Sequence, residues 1–379
     1  MAVFGAVLLI GSQLGPQAQG LFSRTKSELE FIAALSLFGM PQAAFFFLSS
    51  RRMTRVAAFK LAGLLGIICL AVSWGYLSAM HPTGTLYVTL FAVASAAAVI
   101  HGILRVIVLA FATTRAFNLV TALPQVVILM VVVAVIPGGL LMPWMVPAIF
   151  LSAFCVGSAF AWTALRYRVE AAGECAAGSA SPKELITFGA ATWSVATLST
   201  ATAVFWLRHT EAVLGLAAVG IFSMGLTLVQ LVLTPFNYAV PLLFKRWIES
   251  PEATRVVRWA LSAGFGVFCL IAVVLWIQGF FPVPESLAAY DGLRGLRWLF
   301  ALSAVAEVVA RIAAVAANAA GHPWAPVFSE LMRMAVLGIA VAFGAAGDLV
   351  SIATFWALAA VLSAAALLVV VRQVEAARL

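Results

Sequence analysis

Charge is scarce in this chain. Charged residues fill 9% of its 379 positions, the acids number 14, and two of those, Asp291 and Asp348, are the only aspartates. A water-soluble domain carries about a quarter charged residues, so a chain that is 64% hydrophobic is excluded from that class. Cysteine is also scarce: Cys69, Cys155, Cys175 and Cys269 stand alone, without CxxC spacing or an evident pairing, which excludes a disulfide scaffold and a thiolate metal centre. There is no metal motif, phosphate-binding glycine loop or nucleophile elbow, so neither an enzymatic activity nor a cofactor is expected. Long hydrophilic connections are missing too. The longest on the outer side runs roughly from Gly279 to Arg294, too short to carry the reacting groups of a membrane glycosyltransferase or polymerase, the lowest-ranked functional reading.

What remains is a series of continuous apolar runs. They do not alternate as the strands of a barrel would, so they are read as helices, each needing about 20 residues to cross about 30 Å of hydrocarbon. Twelve spans are expected, near 1–14, 28–49, 57–79, 85–110, 116–136, 143–165, 185–207, 216–243, 256–280, 295–318, 325–345 and 349–371. The fold class is therefore an all-α polytopic membrane protein. Its first span is too short for a crossing and is read as a late start or a truncated helix rather than a secretory signal, since no basic segment precedes it.

Arg51, Arg52, Arg55, Lys60, Arg115, Arg166, Arg168, Lys183, Lys245, Arg246, Arg255, Arg258, Arg372 and Arg378 fall at connections or ends on one side. Arg24, Lys26, Arg208 and Arg294 fall on the other. The richer side is expected to be cytoplasmic, with both termini there, in a bacterial inner membrane. The net charge of +8 then reflects topology and anionic lipid; membrane lipids are partners and nucleic acid is not. The polar stretch 167–184 divides a lobe at 1–166 from one at 185–379. Ser181, Pro182 and Glu184 form a capping-box pattern that predicts the start of the seventh helix.

The two lobes read as copies. Leu14-Gly15-Pro16-Gln17-Ala18-Gln19-Gly20-Leu21-Phe22-Ser23 returns as Leu214-Gly215-Leu216-Ala217-Ala218-Val219-Gly220-Ile221-Phe222-Ser223. Pro41 precedes Arg51-Arg52 by the interval that separates Pro235 from Lys245-Arg246, and His101/Arg105 match Glu307/Arg311, each at i and i+4. Six crossings before the linker predict two six-helix lobes related by a pseudo-twofold axis along the membrane normal.

With Phe38-Gly39-Met40-Pro41-Gln42-Ala43 and Glu184-Leu185-Ile186-Thr187-Phe188-Gly189, these segments resemble the polysaccharide-export branch of the multidrug/oligosaccharidyl-lipid/polysaccharide superfamily, over nearly the whole chain. The short first span departs from that pattern. The resemblance implies two lobes around a cavity that opens to either side in turn. It also implies a flippase that moves a polyprenyl-diphosphate-linked oligosaccharide, an O-antigen or exopolysaccharide precursor, with glycan-assembly proteins as further partners.

Candidate site residues are charges placed where they are costly. Arg105, Glu307, Arg311 and Arg333 lie within spans, so each should face a wet cavity or a partner. Helical rise puts Arg311 and Arg333 at a common depth, with Glu307 beside Arg311 and Glu330 beside Arg333. In the flippase reading both arginines grip the diphosphate, Arg105 assists, His101 on the same face joins the substrate site or relays protons, and Glu307 tunes Arg311. Plainer roles fit the same residues. Glu307 with Arg311 reads equally as an internal ion pair, Arg105 as a side chain reaching the headgroups, and His101 as a packing residue. Arg208-His209-Thr210-Glu211 reads as an interfacial cluster or a gate; Gln42, Gln125, Asn237 and Asn318 as sugar contacts or helix joints. Pro41, Pro124, Pro147, Pro235 and Pro241 predict kinks, and Trp74, Trp144, Trp206, Trp247 and Trp276 interface anchors.

The main alternative is a cation-coupled multidrug antiporter with similar lobes. It calls for a membrane-embedded carboxylate in exchange with protons or sodium, and the reading above leaves Glu307 as the sole deep acid, with none in the amino-terminal lobe. A scaffold that transports nothing is the third class.

Overall fold

The computed structural model describes residues 2–80, 84–166, 180–249, 256–278, 285–319 and 322–376. Most of the expected linker, 167–179, lies outside the described residues, as does Arg378. Eleven helices follow in order: α1 (Ala2–Leu37), α2 (Met40–Ser49), α3 (Arg55–Met80), α4 (Thr85–Phe111), α5 (Thr114–Val135), α6 (Met145–Arg166), α7 (Pro182–Glu249), α8 (Val256–Gln278), α9 (Gly292–Ala319), α10 (Ala325–Ala342) and α11 (Leu349–Ala376). Among the described residues there is no strand, and nine helices are long and apolar enough to cross a membrane, or ten with α1 and α2 taken as one bent span.

The repeat seen in the sequence is a repeat of backbone geometry. Gly15 breaks α1 at φ 80°, ψ 179°, and Gly215 breaks α7 at φ 82°, ψ 175°. Positive φ with extended ψ is a region that essentially glycine alone occupies, so each glycine fixes the same corner in its copy. With both breaks counted and α2 continuing α1, the helices fall into the twelve segments expected.

One boundary moves. The second span was expected from residue 28, but the helix resumes directly after Gly15, so Arg24 and Lys26 lie inside α1 and not at a connection. The polar run stays helical because its charges pair along the helix: Arg24 Nε lies 3.8 Å from Glu28 Oε1, and Lys26 Nζ 2.8 Å from Glu30 Oε1, both at i and i+4.

By packing, the chain divides into Met1–Ile10 with Leu21–Val204, and Gly11–Gly20 with Phe205–Leu379. In the first unit α4 is the central helix, packed on α2, α3 and α6, with α5 on α6; Phe22 stacks on Phe150 at 5.5 Å. The second unit repeats the plan. There α9 is central, against α8 and α11, with α10 on α11, and Phe222 meets both Phe300 (5.6 Å) and Trp356 (5.8 Å).

The first turns of α7 belong to the first unit for local reasons. The capping box forms as expected, with Ser181 N–H donating to Glu184 Oε2 (2.8 Å) and Glu184 N–H to Ser181 Oγ (3.3 Å), while Glu184 Oε1 accepts from Arg52 (2.8 Å). Phe188 stacks on Phe46 at 4.6 Å, and Trp193 donates its indole N–H to the Leu35 carbonyl at 3.0 Å. Gly39 and Gly189 let the two backbones meet, since a Cβ on either would strike the other's main chain.

Candidate charge sites

In the second unit the cluster is built by two helices at right register. Ser303, Glu307 and Arg311 recur every four residues along α9, and Glu330 and Arg333 lie one turn apart on α10. Arg333, 6% exposed, forms an ion pair with Glu307 across the α9–α10 contact. Its guanidinium also lies 4.5 Å from the centroid of the Trp356 ring on α11. Three helices therefore meet at one guanidinium: α10 carries it, α9 supplies the carboxylate and α11 the aromatic ring.

Glu330 lies in the Coulomb field of Arg333, Glu307 and Arg311, so the four form one cluster of two acids and two bases. The pairing differs from the expected one, in which Glu330 served Arg333. Glu307 serves Arg333 instead, because the α9–α10 packing places the two head groups against each other while Trp356 fixes the guanidinium plane. Ser329 is used locally, its hydroxyl donating to the Ser363 carbonyl on α11 at 3.0 Å.

In the first unit the corresponding positions have different chemistry. His101 on α4 is 6% exposed, lies 5.8 Å from the Phe154 ring, and sits in a recess that Gly157 of α6 provides. A Cβ at Gly157 would lie 2.8 Å from His101 Cε1 and 2.8 Å from Pro124 Cγ, so the imidazole, Pro124 of α5 and α6 pack at one point. Arg105, one turn further along α4, is half-buried.

The residue that sequence reasoning missed is Glu28. It is 0% exposed, inside α1, with Arg24 as its neighbour and Thr25 equally buried. The statement that the amino-terminal lobe lacks a buried acid is thus corrected. The signal was available: Phe22, Thr25, Leu29, Ile32 and Ser36 recur at i+3 and i+4 and are all buried, which continues the helix through the polar run and turns Glu28 inward beside them.

No family model matches this chain, and no curated protein is matched by sequence. Its fold is matched by solved structures. An inward-facing multidrug resistance MATE family transporter of the MOP superfamily superposes with a TM-score of 0.74 at 14% identity, over 99% of this chain and 94% of that one. A MOP superfamily transporter from Pyrococcus furiosus, described as having a binding pocket of reversed polarity, gives 0.69 at 13% identity over 99% and 92%. The MATE multidrug transporter DinF-BH gives 0.64 at 16% over 98% and 92%. The fold is that of transporters of this superfamily, a multi-pass membrane architecture of two six-helix lobes. The expectation of a flippase for polyprenyl-diphosphate-linked oligosaccharide is overturned here. Multidrug MATE transporters recur among the solved structures that share this fold, and the diphosphate-clamp role given to Arg311 and Arg333, which rested on the flippase reading, loses that premise.

Proposed function

We propose that this protein is a cation-coupled antiporter exporting amphipathic, multidrug-type substrates by alternating access. The observation that carries the reading is Glu28. A carboxylate removed from water is costly unless it is paired or protonated, and a group that exchanges those states is what coupling needs. Glu307 is the acid proposed for the second unit, at a different place in the repeat, with Arg333 as internal counter-charge and Glu330 and Arg311 beside it. His101 and Arg105 serve the first unit as packing and interfacial residues rather than as ligands. The fold likeness to multidrug transporters supports the same class. The arginine-rich ends are placed in the cytoplasm of a bacterial inner membrane.

In proteoliposomes loaded with a lipophilic cationic dye, an imposed proton or sodium gradient should drive dye movement. Glu28→Gln and Glu307→Gln should each lower the driven rate by about tenfold or more per folded, reconstituted protein, with Glu307→Gln also lowering stability because it strands Arg333. Full gradient-driven rates in both variants would remove the carboxylates from coupling; no dye movement under either gradient would remove the antiporter reading.

A further inference from the structure

We infer an anionic-phospholipid site on the exposed surface of the first unit, where the basic ends of α3 and α6 come together. Neither helix contains an aspartate or glutamate. Arg55, in the first turn of α3, donates to the Leu165 carbonyl at the end of α6 at 2.7 Å, where the carbonyl end of the helix dipole favours a cation. Its guanidinium lies 5.6 Å from the Phe59 centroid, and Phe59 meets Trp162 of α6 edge-on at 5.2 Å. Arg55, Phe59 and Trp162 thus tie the two helix ends into one surface, with Arg55 already committed to a protein carbonyl.

Two cations beside that tie remain exposed, Lys60 on α3 and Arg166 on α6. Each heads a stripe that faces outward. Lys60 is followed at helical spacing by Gly63, at which a Cβ would meet nothing, and by Ile67, 69% exposed. Arg166 is preceded one turn earlier by Trp162, which is 56% exposed, and then by the exposed Ala159. In a helix that crosses a membrane this is the order of a lipid: a phosphate held by lysine and arginine, an indole at the glycerol level, and acyl chain against the notch and the apolar stripe. The occupant is a glycerophospholipid of net negative charge. A zwitterionic lipid carries its own ammonium, which the two cations repel.

The test uses the full chain purified in detergent, with lipid retention read by native mass spectrometry against dioleoyl phosphatidylglycerol and dioleoyl phosphatidylcholine. The wild type should retain the anionic lipid preferentially. Lys60→Gln with Arg166→Gln should lower that affinity by about fivefold per cation removed, whereas Arg115→Gln with Lys183→Gln, two exposed cations elsewhere at the same end, should leave it near wild type. Equal loss in the two double variants would make the effect general to the basic end and overturn the site, as would equal retention of both lipids by the wild type. Thermal unfolding of each variant reports its folding. If the double variant does not fold, Lys60→Gln alone is read in the same assay, with an unchanged affinity counting against the site.

Discussion

At the scale of single residues, the buried charges show how far context decides a role. Arg333 bridges to Glu307 and rests on Trp356, an arrangement in which taking away one partner strands the other in a low-dielectric interior. Arg333→Met should therefore destabilise the protein by about 3–5 kcal/mol, and adding Glu307→Gln should restore a good part of the loss. Thermal or denaturant unfolding of the two single variants and the double variant measures this coupling; additive losses would mean that the pair is not an energetic unit. His101 is the opposite case. Its ring fills a recess shaped by Gly157 and Pro124, so Gly157→Ala should cost about 1–3 kcal/mol by overpacking, read as a lower unfolding midpoint.

At the scale of elements, the two broken helices are the informative ones. Gly15 and Gly215 hold nearly the same positive-φ corner, and a Cβ at either would meet nothing within 4 Å, so the demand there is conformational and not steric. Alanine at either site should cost about 1–3 kcal/mol through backbone strain. The turn that follows makes a different demand. In the second unit, a Cβ on Gly20 would run into the Leu216 carbonyl, and one on Gly220 into the Pro16 carbonyl. Main-chain atoms have little room to yield, so Gly220→Ala should lower the unfolding midpoint by more than Gly215→Ala; the reverse order would show that the close approach is not kept in the membrane. The continuation of α1 through residues 24–28 belongs to this scale as well. Pairing at i and i+4 lets a polar run stay helical, and that continuity is what turns Glu28 inward.

At the scale of the whole molecule, the same packing plan occurs twice, with α4 and α9 each central among their neighbours. The charge distribution predicts which ends share a side of the membrane. Single cysteines placed at Arg115 and Lys183 in a background without the native cysteines should react with an impermeant thiol reagent from one side of sealed vesicles, and one at Arg208 from the other; all three reacting from one side would refute the orientation. The apolar runs, their number, the duplicated Leu14–Ser23 segment and the capping box at Ser181 were determined by the sequence alone, because hydrocarbon thickness, glycine conformation and capping chemistry act locally along the chain. The partner of Arg333, the recess around His101, the exposure of Trp162 and the burial of Glu28 were decided only by the tertiary structure. Each depends on which helix lies alongside at a given depth, and a carboxylate in a sequence reads the same whether its neighbour is water, an arginine or an apolar wall.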